Sequence, residues 1–106
     1  MYYRYRVYQA IAENEAAFTE LFLKWLLPVQ LKHGARLVGR WVSTDQTKVF
    51  AIWEYDNPEA FAAIDRAVKD DLDSAAAREY FATLPDLYTE MDEGFMTSSV
   101  PRTFFV

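Results

Sequence analysis

The chain contains no cysteine in its 106 residues. That single absence removes a disulfide framework, a thiolate zinc site and a cysteine nucleophile together, and it leaves the redox compartment open. Histidine is almost as scarce, with His33 alone, and three glycines and four prolines leave room only for short connections between regular elements. Basic residues are in the minority, 11 Lys and Arg against 16 Asp and Glu, for a net charge of −5. No nucleic-acid partner is expected, because such proteins carry a basic stripe. No apolar run approaches the roughly 20 residues that a membrane-spanning helix needs, so no membrane partner is expected either. Met1-Tyr2-Tyr3-Arg4 enters a strand pattern at once, without a signal or transit stretch, and the expected address is cytoplasmic.

What is present is apolar and aromatic. Hydrophobic residues make up 52% and aromatics 17%, which excludes a disordered chain and predicts one domain over residues 1–106. The sharpest change of period falls at Gln30-Leu31-Lys32-His33-Gly34-Ala35-Arg36-Leu37. Helical spacing ends at His33, Gly34 supplies a residue that accepts positive φ, and alternation begins at Ala35.

In chain order, Tyr2 to Gln9 alternates as a half-buried strand. Asn14 offers a helix cap, and Phe18, Leu21, Phe22, Trp25 and Val29 recur at helical spacing up to His33. Pro28 removes one backbone donor inside that helix and crowds the carbonyl of Lys24, so a kink is expected. Ala35–Ser43 and Lys48–Tyr55 are strand runs joined by the turn residues Thr44-Asp45-Gln46-Thr47, which sets Trp41 opposite Phe50 and Gly39 opposite Ile52. Asp56-Asn57-Pro58-Glu59 starts a second helix, Asp70-Asp71-Leu72-Asp73 breaks it, and Ser74 to Leu84 resumes. Leu87 to about Thr97 forms a last strand edged by Glu90, Asp92 and Glu93, and Phe104 and Phe105 in the tail should pack.

The element order predicts an α+β, ferredoxin-like βαββαβ domain: an antiparallel sheet with strand 1 between strands 3 and 4 and both helices on one face. Tyr3, Tyr5, Val7, Leu37, Trp41, Phe50 and Ile52 are the face assigned to the helices. The opposite face mixes Arg4, Arg6 and Arg40 with Tyr8, Val38, Val42, Val49, Ala51, Trp53 and Tyr55. That surface is too apolar to leave in water, so a second copy is expected to cover it and enclose a cavity between two sheets.

Tyr5-Arg6-Val7-Tyr8, Gln30-Leu31-Lys32-His33-Gly34, Leu37-Val38-Gly39-Arg40-Trp41 and Ile52-Trp53-Glu54-Tyr55 resemble the NIPSNAP family, over roughly Met1 to Pro101. The resemblance implies a homodimeric α/β barrel, within a superfamily that includes antibiotic-biosynthesis monooxygenases, haem-degrading enzymes and muconolactone-type isomerases. It implies no settled activity. In the family's third strand a histidine often stands two residues before the tryptophan; here Ala51 takes that place.

Candidate chemistry is sparse. His33, the usual type of general base near neutral pH, is read first as a stabiliser of the helix C-terminus. Scattered acids and a single histidine provide no metal site, and no cofactor is implied. Arg6 and Arg40 suit a carboxylate or phosphate, with Tyr8, Trp53 and Tyr55 around an apolar body, and their competing reading is pairing with the acidic last strand. Trp25 and Trp41 are assigned to the core. Two functions follow. One is a homodimeric binding or interaction module for a small, partly apolar or anionic ligand, lined by Arg6, Tyr8, Arg40, Trp53 and Tyr55. The alternative is a cofactor-independent monooxygenase or isomerase with Tyr8, His33 or Tyr55 moving protons.

Overall fold

A computed structural model describes residues 1–101. Phe104 and Phe105 lie outside the described residues. The elements are β1 (Tyr2–Ala10), a 3-10 turn (Ala12–Asn14), α1 (Glu15–Leu21), a π-helical turn (Phe22–Leu26), α2 (Leu27–Lys32), β2 (Arg36–Val42), β3 (Lys48–Tyr55), α3 (Pro58–Asp70), α4 (Leu72–Phe81) and β4 (Tyr88–Met96). The sheet has the order β2-β3-β1-β4 with every neighbour antiparallel, so β1 does lie between β3 and β4.

Local chemistry accounts for most of the boundaries. Asp45 accepts from the Ser43 and Thr47 hydroxyls, each at 2.7 Å, and from the Thr47 N–H at 3.0 Å, and Gln46 takes a φ of 63° to close the hairpin. Asn57 Oδ1 caps α3 by accepting the Ala60 N–H at 2.7 Å. Asp71, in extended conformation, separates α3 from α4 and caps the latter through the Asp73 N–H. Gly34, at φ 99°, ends α2: its N–H reaches the Leu31 carbonyl, and the Ala35 N–H reaches that of Gln30. Those two bonds satisfy carbonyls that the helix end would leave open.

The expected cap at Asn14 does not form. Its side chain donates instead to the Asp86 carbonyl at 2.8 Å, tying the helix entrance to the segment before β4. The disturbance expected from Pro28 takes the form of the π-helical turn. The Leu27 N–H bonds to the Phe22 carbonyl, five residues back, and this widened turn comes just before the proline.

The facing of the sheet is the reverse of the expectation. Helices cover the side carrying Arg4, Arg6, Tyr8, Val49, Trp53 and Tyr55, while Tyr5, Val7, Trp41, Phe50 and Ile52 look away from them. Trp41 is 49% exposed, so it is not core. The register of Trp41 with Phe50 and Gly39 with Ile52 is as expected. Period-2 alternation defines two faces without saying which is inside, and here the helices meet the arginine-bearing face with rings and a carboxylate. Trp53 packs on Phe22 and Tyr55 on Phe61, at ring distances of 5.9 and 5.1 Å. A bulge in β2 adds a second departure: pairing passes from Leu37–Trp53 to Gly39–Ile52. Val38 is the extra residue and lies exposed, and Leu37 turns to the helix side.

Candidate functional site

The reversal moves the cavity. It lies within one chain, between sheet and helices, with a volume of about 350 Å³. Two groups of buried apolar residues flank it, one around Phe18, Leu21 and Val49 and the other around Phe22, Trp53 and Tyr55. The floor comes from β1, β2 and β3: Arg4, Arg6, Tyr8, Arg40, Ala51 and Trp53. Phe18, Phe22, Trp25 and Val29 form one wall, and Asp65, Lys69, Ser74, Ala77, Arg78 and Phe81 from α3 and α4 form the other.

Four of the five residues assigned to ligand binding, Arg6, Tyr8, Arg40 and Trp53, line this cavity. Tyr55 does not; it is buried beside it, with the Arg4 guanidinium 5.9 Å from its ring centre. Of the proton-moving candidates, only Tyr8 is at the cavity. His33 is away from it, with Nε2 2.7 Å from Asp71 Oδ2 at the junction of α2 with α4. Lys32 Nζ approaches the same oxygen at 2.8 Å. These two partners, Lys32 foremost, hold the Asp71 carboxyl well below the usual carboxylate range. The helix-stop reading of His33 is the one that the geometry matches.

The cations are unevenly placed. Among the described residues, five Lys and Arg (Arg4, Arg6, Arg40, Lys69 and Arg78) line the cavity of an acidic protein, with Asp65 the one carboxylate in that lining. Glu93 of β4 receives Arg4 Nη1 at 3.5 Å and Arg6 Nε at 3.3 Å, so the pairing expected with the last strand forms for Arg6. Arg40, on β2, is separated from β4 by two strands and pairs with α1 instead. Its Nη1 donates to Thr19 Oγ1 at 2.8 Å and lies 3.6 Å from Glu15 Oε1, and its Cζ is 5.0 Å from the ring centres of both Phe18 and Phe22. Thr19 in turn donates to Glu15.

Two guanidiniums are incompletely satisfied. The side chains of Arg4 and Arg40 are 3% and 9% exposed, yet Arg4 Nε and Arg40 Nη2 find no acceptor among the described residues. Such a shortfall is costly, since a buried donor without a partner forfeits about 1–3 kcal/mol and a charged one more. Burial lowers the Arg40 pKa despite Glu15, whereas Tyr8 and Glu93 outweigh burial at Arg6 and raise it. Burial raises the phenol of Tyr55 against the pull of Arg4, and that of Tyr88 against the pull of Arg6. Among the described residues, no three His, Asp or Glu side chains gather as they would around a metal ion.

Several of these residues carried no functional signal in the sequence. Phe18, Phe22 and Trp25 read as an ordinary buried helix stripe, and nothing in the spacing of Lys69 and Arg78 joins them to β2. Arg4 shares the face of Arg6 in the alternation, which was the signal available for it.

The family model described as NIPSNAP matches residues 3–98. An uncharacterized NIPSNAP domain protein from Burkholderia xenovorans is 22% identical and covers 98% of this chain and 97% of its own, with a TM-score of 0.78. A protein from Agrobacterium tumefaciens reaches a TM-score of 0.80 at 18% identity, covering 93% and 94% of the two chains. A monooxygenase of Streptomyces coelicolor, solved in complex with nanaomycin D, has a TM-score of 0.69 at 19% identity and covers 94% and 88%. At these identities the likeness is one of fold. No protein of curated function matches the chain.

Proposed function

The chain belongs to the NIPSNAP family, and on that premise we propose that it is a homodimeric binding module whose cavity, one in each protomer, takes a small, partly apolar anion. The observation that carries this reading is that two guanidinium nitrogens, Arg4 Nε and Arg40 Nη2, lack acceptors among the described residues, on side chains that line an aromatic cavity. Buried donors are ordinarily satisfied, so an anionic guest is the missing acceptor. The volume is near the lower end of ligand pockets, roughly 300–1,000 Å³, which suits one to three rings. The dimer follows from the outward face, where Trp41, Phe50, Val38 and Met96 are exposed beside Tyr5, Val7 and Ile52. A second copy, sheet against sheet, would cover that patch, and the cavity would stay outside the contact.

Trp25 and Trp53 face the cavity, so small aromatic acids should quench tryptophan emission saturably, with one ligand per protomer. Absence of saturable quenching across a panel of one-ring to three-ring acids and their neutral analogues would refute the reading.

A second reading, a cofactor-independent monooxygenase or isomerase, draws on the fold shared with the Streptomyces coelicolor monooxygenase and on Tyr8, a phenol in the cavity floor beside Arg6. Oxygen uptake with bound phenolic ligands, abolished in Tyr8→Phe with binding retained, would favour it over binding alone.

A further inference from the structure

We infer that Arg40 is the anchor for the carboxylate of a ring-bearing monoacid, and that this carboxylate competes with Glu15 for the guanidinium. The inference rests on the binding reading above and names the chemical class and the seat of the charged group.

Arg40 is only half engaged. Its Nη1 has Thr19 and a distant Glu15, and its Nη2 has nothing among the described residues. The 3.6 Å separation from Glu15 is well beyond the 2.7–2.9 Å typical of a charge-assisted bond. Glu15 is itself 9% exposed and accepts from Thr19, so it supplies charge balance without supplying the missing acceptor. Nη2 presents no open surface, so a second carboxylate reaches it as the guanidinium swings from Glu15 toward the cavity, and there it would make the shorter bond. It would find Phe18 and Phe22 already seated against the guanidinium, each at 5.0 Å.

The sheet provides the space. Arg40 pairs across the strands with Ala51, and Ala51 pairs with Arg6. With neighbouring strands about 4.8 Å apart, the two arginines flank a gap of roughly 10 Å floored by a single methyl group. Ala51 is buried and lines the cavity, so a larger side chain there would occupy the seat itself. A flat ring extending from that seat meets Phe22, Trp25 and Trp53.

A carboxylate matches the seat by shape: its two oxygens lie in one plane and meet a planar guanidinium in parallel N–H···O bonds.

The test compares 2-naphthoate with neutral 2-naphthamide by tryptophan quenching. In Glu15→Gln, which keeps the shape and removes the competitor, naphthoate should bind about tenfold tighter while naphthamide is unchanged. This predicts a gain, which a damaged fold would not produce. Arg40→Gln should weaken naphthoate at least about tenfold and spare naphthamide. Because that variant strands Glu15, the Glu15→Gln/Arg40→Gln pair serves as the folded control and should bind naphthoate as weakly. Ala51→Leu should exclude both compounds. The inference is overturned if Glu15→Gln binds naphthoate no tighter than wild type. It also fails if the double variant keeps wild-type affinity, or if wild type binds the two compounds equally; in these cases the binding reading stands. Failure of wild type to bind either compound overturns the inference, and only silence across the wider panel removes the binding reading.

Discussion

Replacing Glu93 by glutamine removes the carboxylate that two arginines share. Arg4 Nη1 is 3.5 Å and Arg6 Nε 3.3 Å from the same Glu93 oxygen, and the side chains are 3%, 34% and 31% exposed for Arg4, Arg6 and Glu93. Breaking a fully buried pair costs about 3–5 kcal/mol, whereas an exposed pair contributes about 0–1. Arg4 belongs with the first class and Arg6 nearer the second, and both distances are long, which argues for an intermediate value of about 2 kcal/mol. For a domain of this size that corresponds to a melting-temperature drop of roughly 8–16 °C. The assay is thermal unfolding by circular dichroism, with Glu90→Gln and Asp92→Asn as controls. Both controls lie on the same strand, are exposed and have no ion pair among the described residues, so they should melt close to wild type. Adding Arg4→Met to Glu93→Gln should restore much of the loss by removing the stranded charge. A Glu93→Gln protein melting within about 2 °C of wild type would refute the account of Arg4 as a buried charge that depends on β4.

Asp71 gives a pH-dependent prediction: its carboxyl is depressed by Lys32 and His33, so its stabilisation is present above the ordinary carboxylate range and fades as pH falls through the folded value. Urea midpoints of wild type and Asp71→Asn should therefore differ at pH 7 and converge below pH about 4, and a gap independent of pH would contradict the linkage. The proposed dimer predicts that light scattering finds wild type at twice the 12.4 kDa chain mass and Trp41→Glu/Phe50→Glu at one, with unchanged far-ultraviolet dichroism. A wild-type monomer at micromolar concentration would remove the dimer.

The elements, the strand order and the hairpin register were legible because each rests on local signals: alternation in Tyr2–Gln9, turn chemistry at Asp45, proline after Asn57 and glycine after His33. The side of the sheet that is buried was not. Both sides of β1 and β3 carry aromatic residues, so the decision lay with three arginines, and arginine is ordinarily an outward residue. What reverses it is tertiary. Glu15 reaches Arg40 from α1, Glu93 reaches Arg4 and Arg6 from β4, and the rings of Phe18, Phe22 and Phe61 stand opposite the guanidiniums. The bulge at Val38 also left no mark, since Leu37-Val38-Gly39 alternates equally well without one. Of the cavity lining, the floor residues Arg6, Tyr8, Arg40 and Trp53 were singled out, although for a cavity between the sheets of two copies rather than between the sheet and helices of one. The helical walls were read as plain core because a ligand wall and a packed core make the same helical stripe.

The π-helical turn at Phe22–Leu26 has a bearing on how this pocket can change over time. A π-helical turn holds about one residue more than the α-helical turn it replaces, and each residue of an α-helix turns the chain by about 100° around the axis. The wider turn takes up that residue locally, so Leu26, Val29 and Gln30 beyond it keep their bearing on the cavity and the helix still reaches the Gly34 stop. The length of this helix can therefore change by one residue at that turn while the residues that a guest meets, and the arginines beneath, stay where they are.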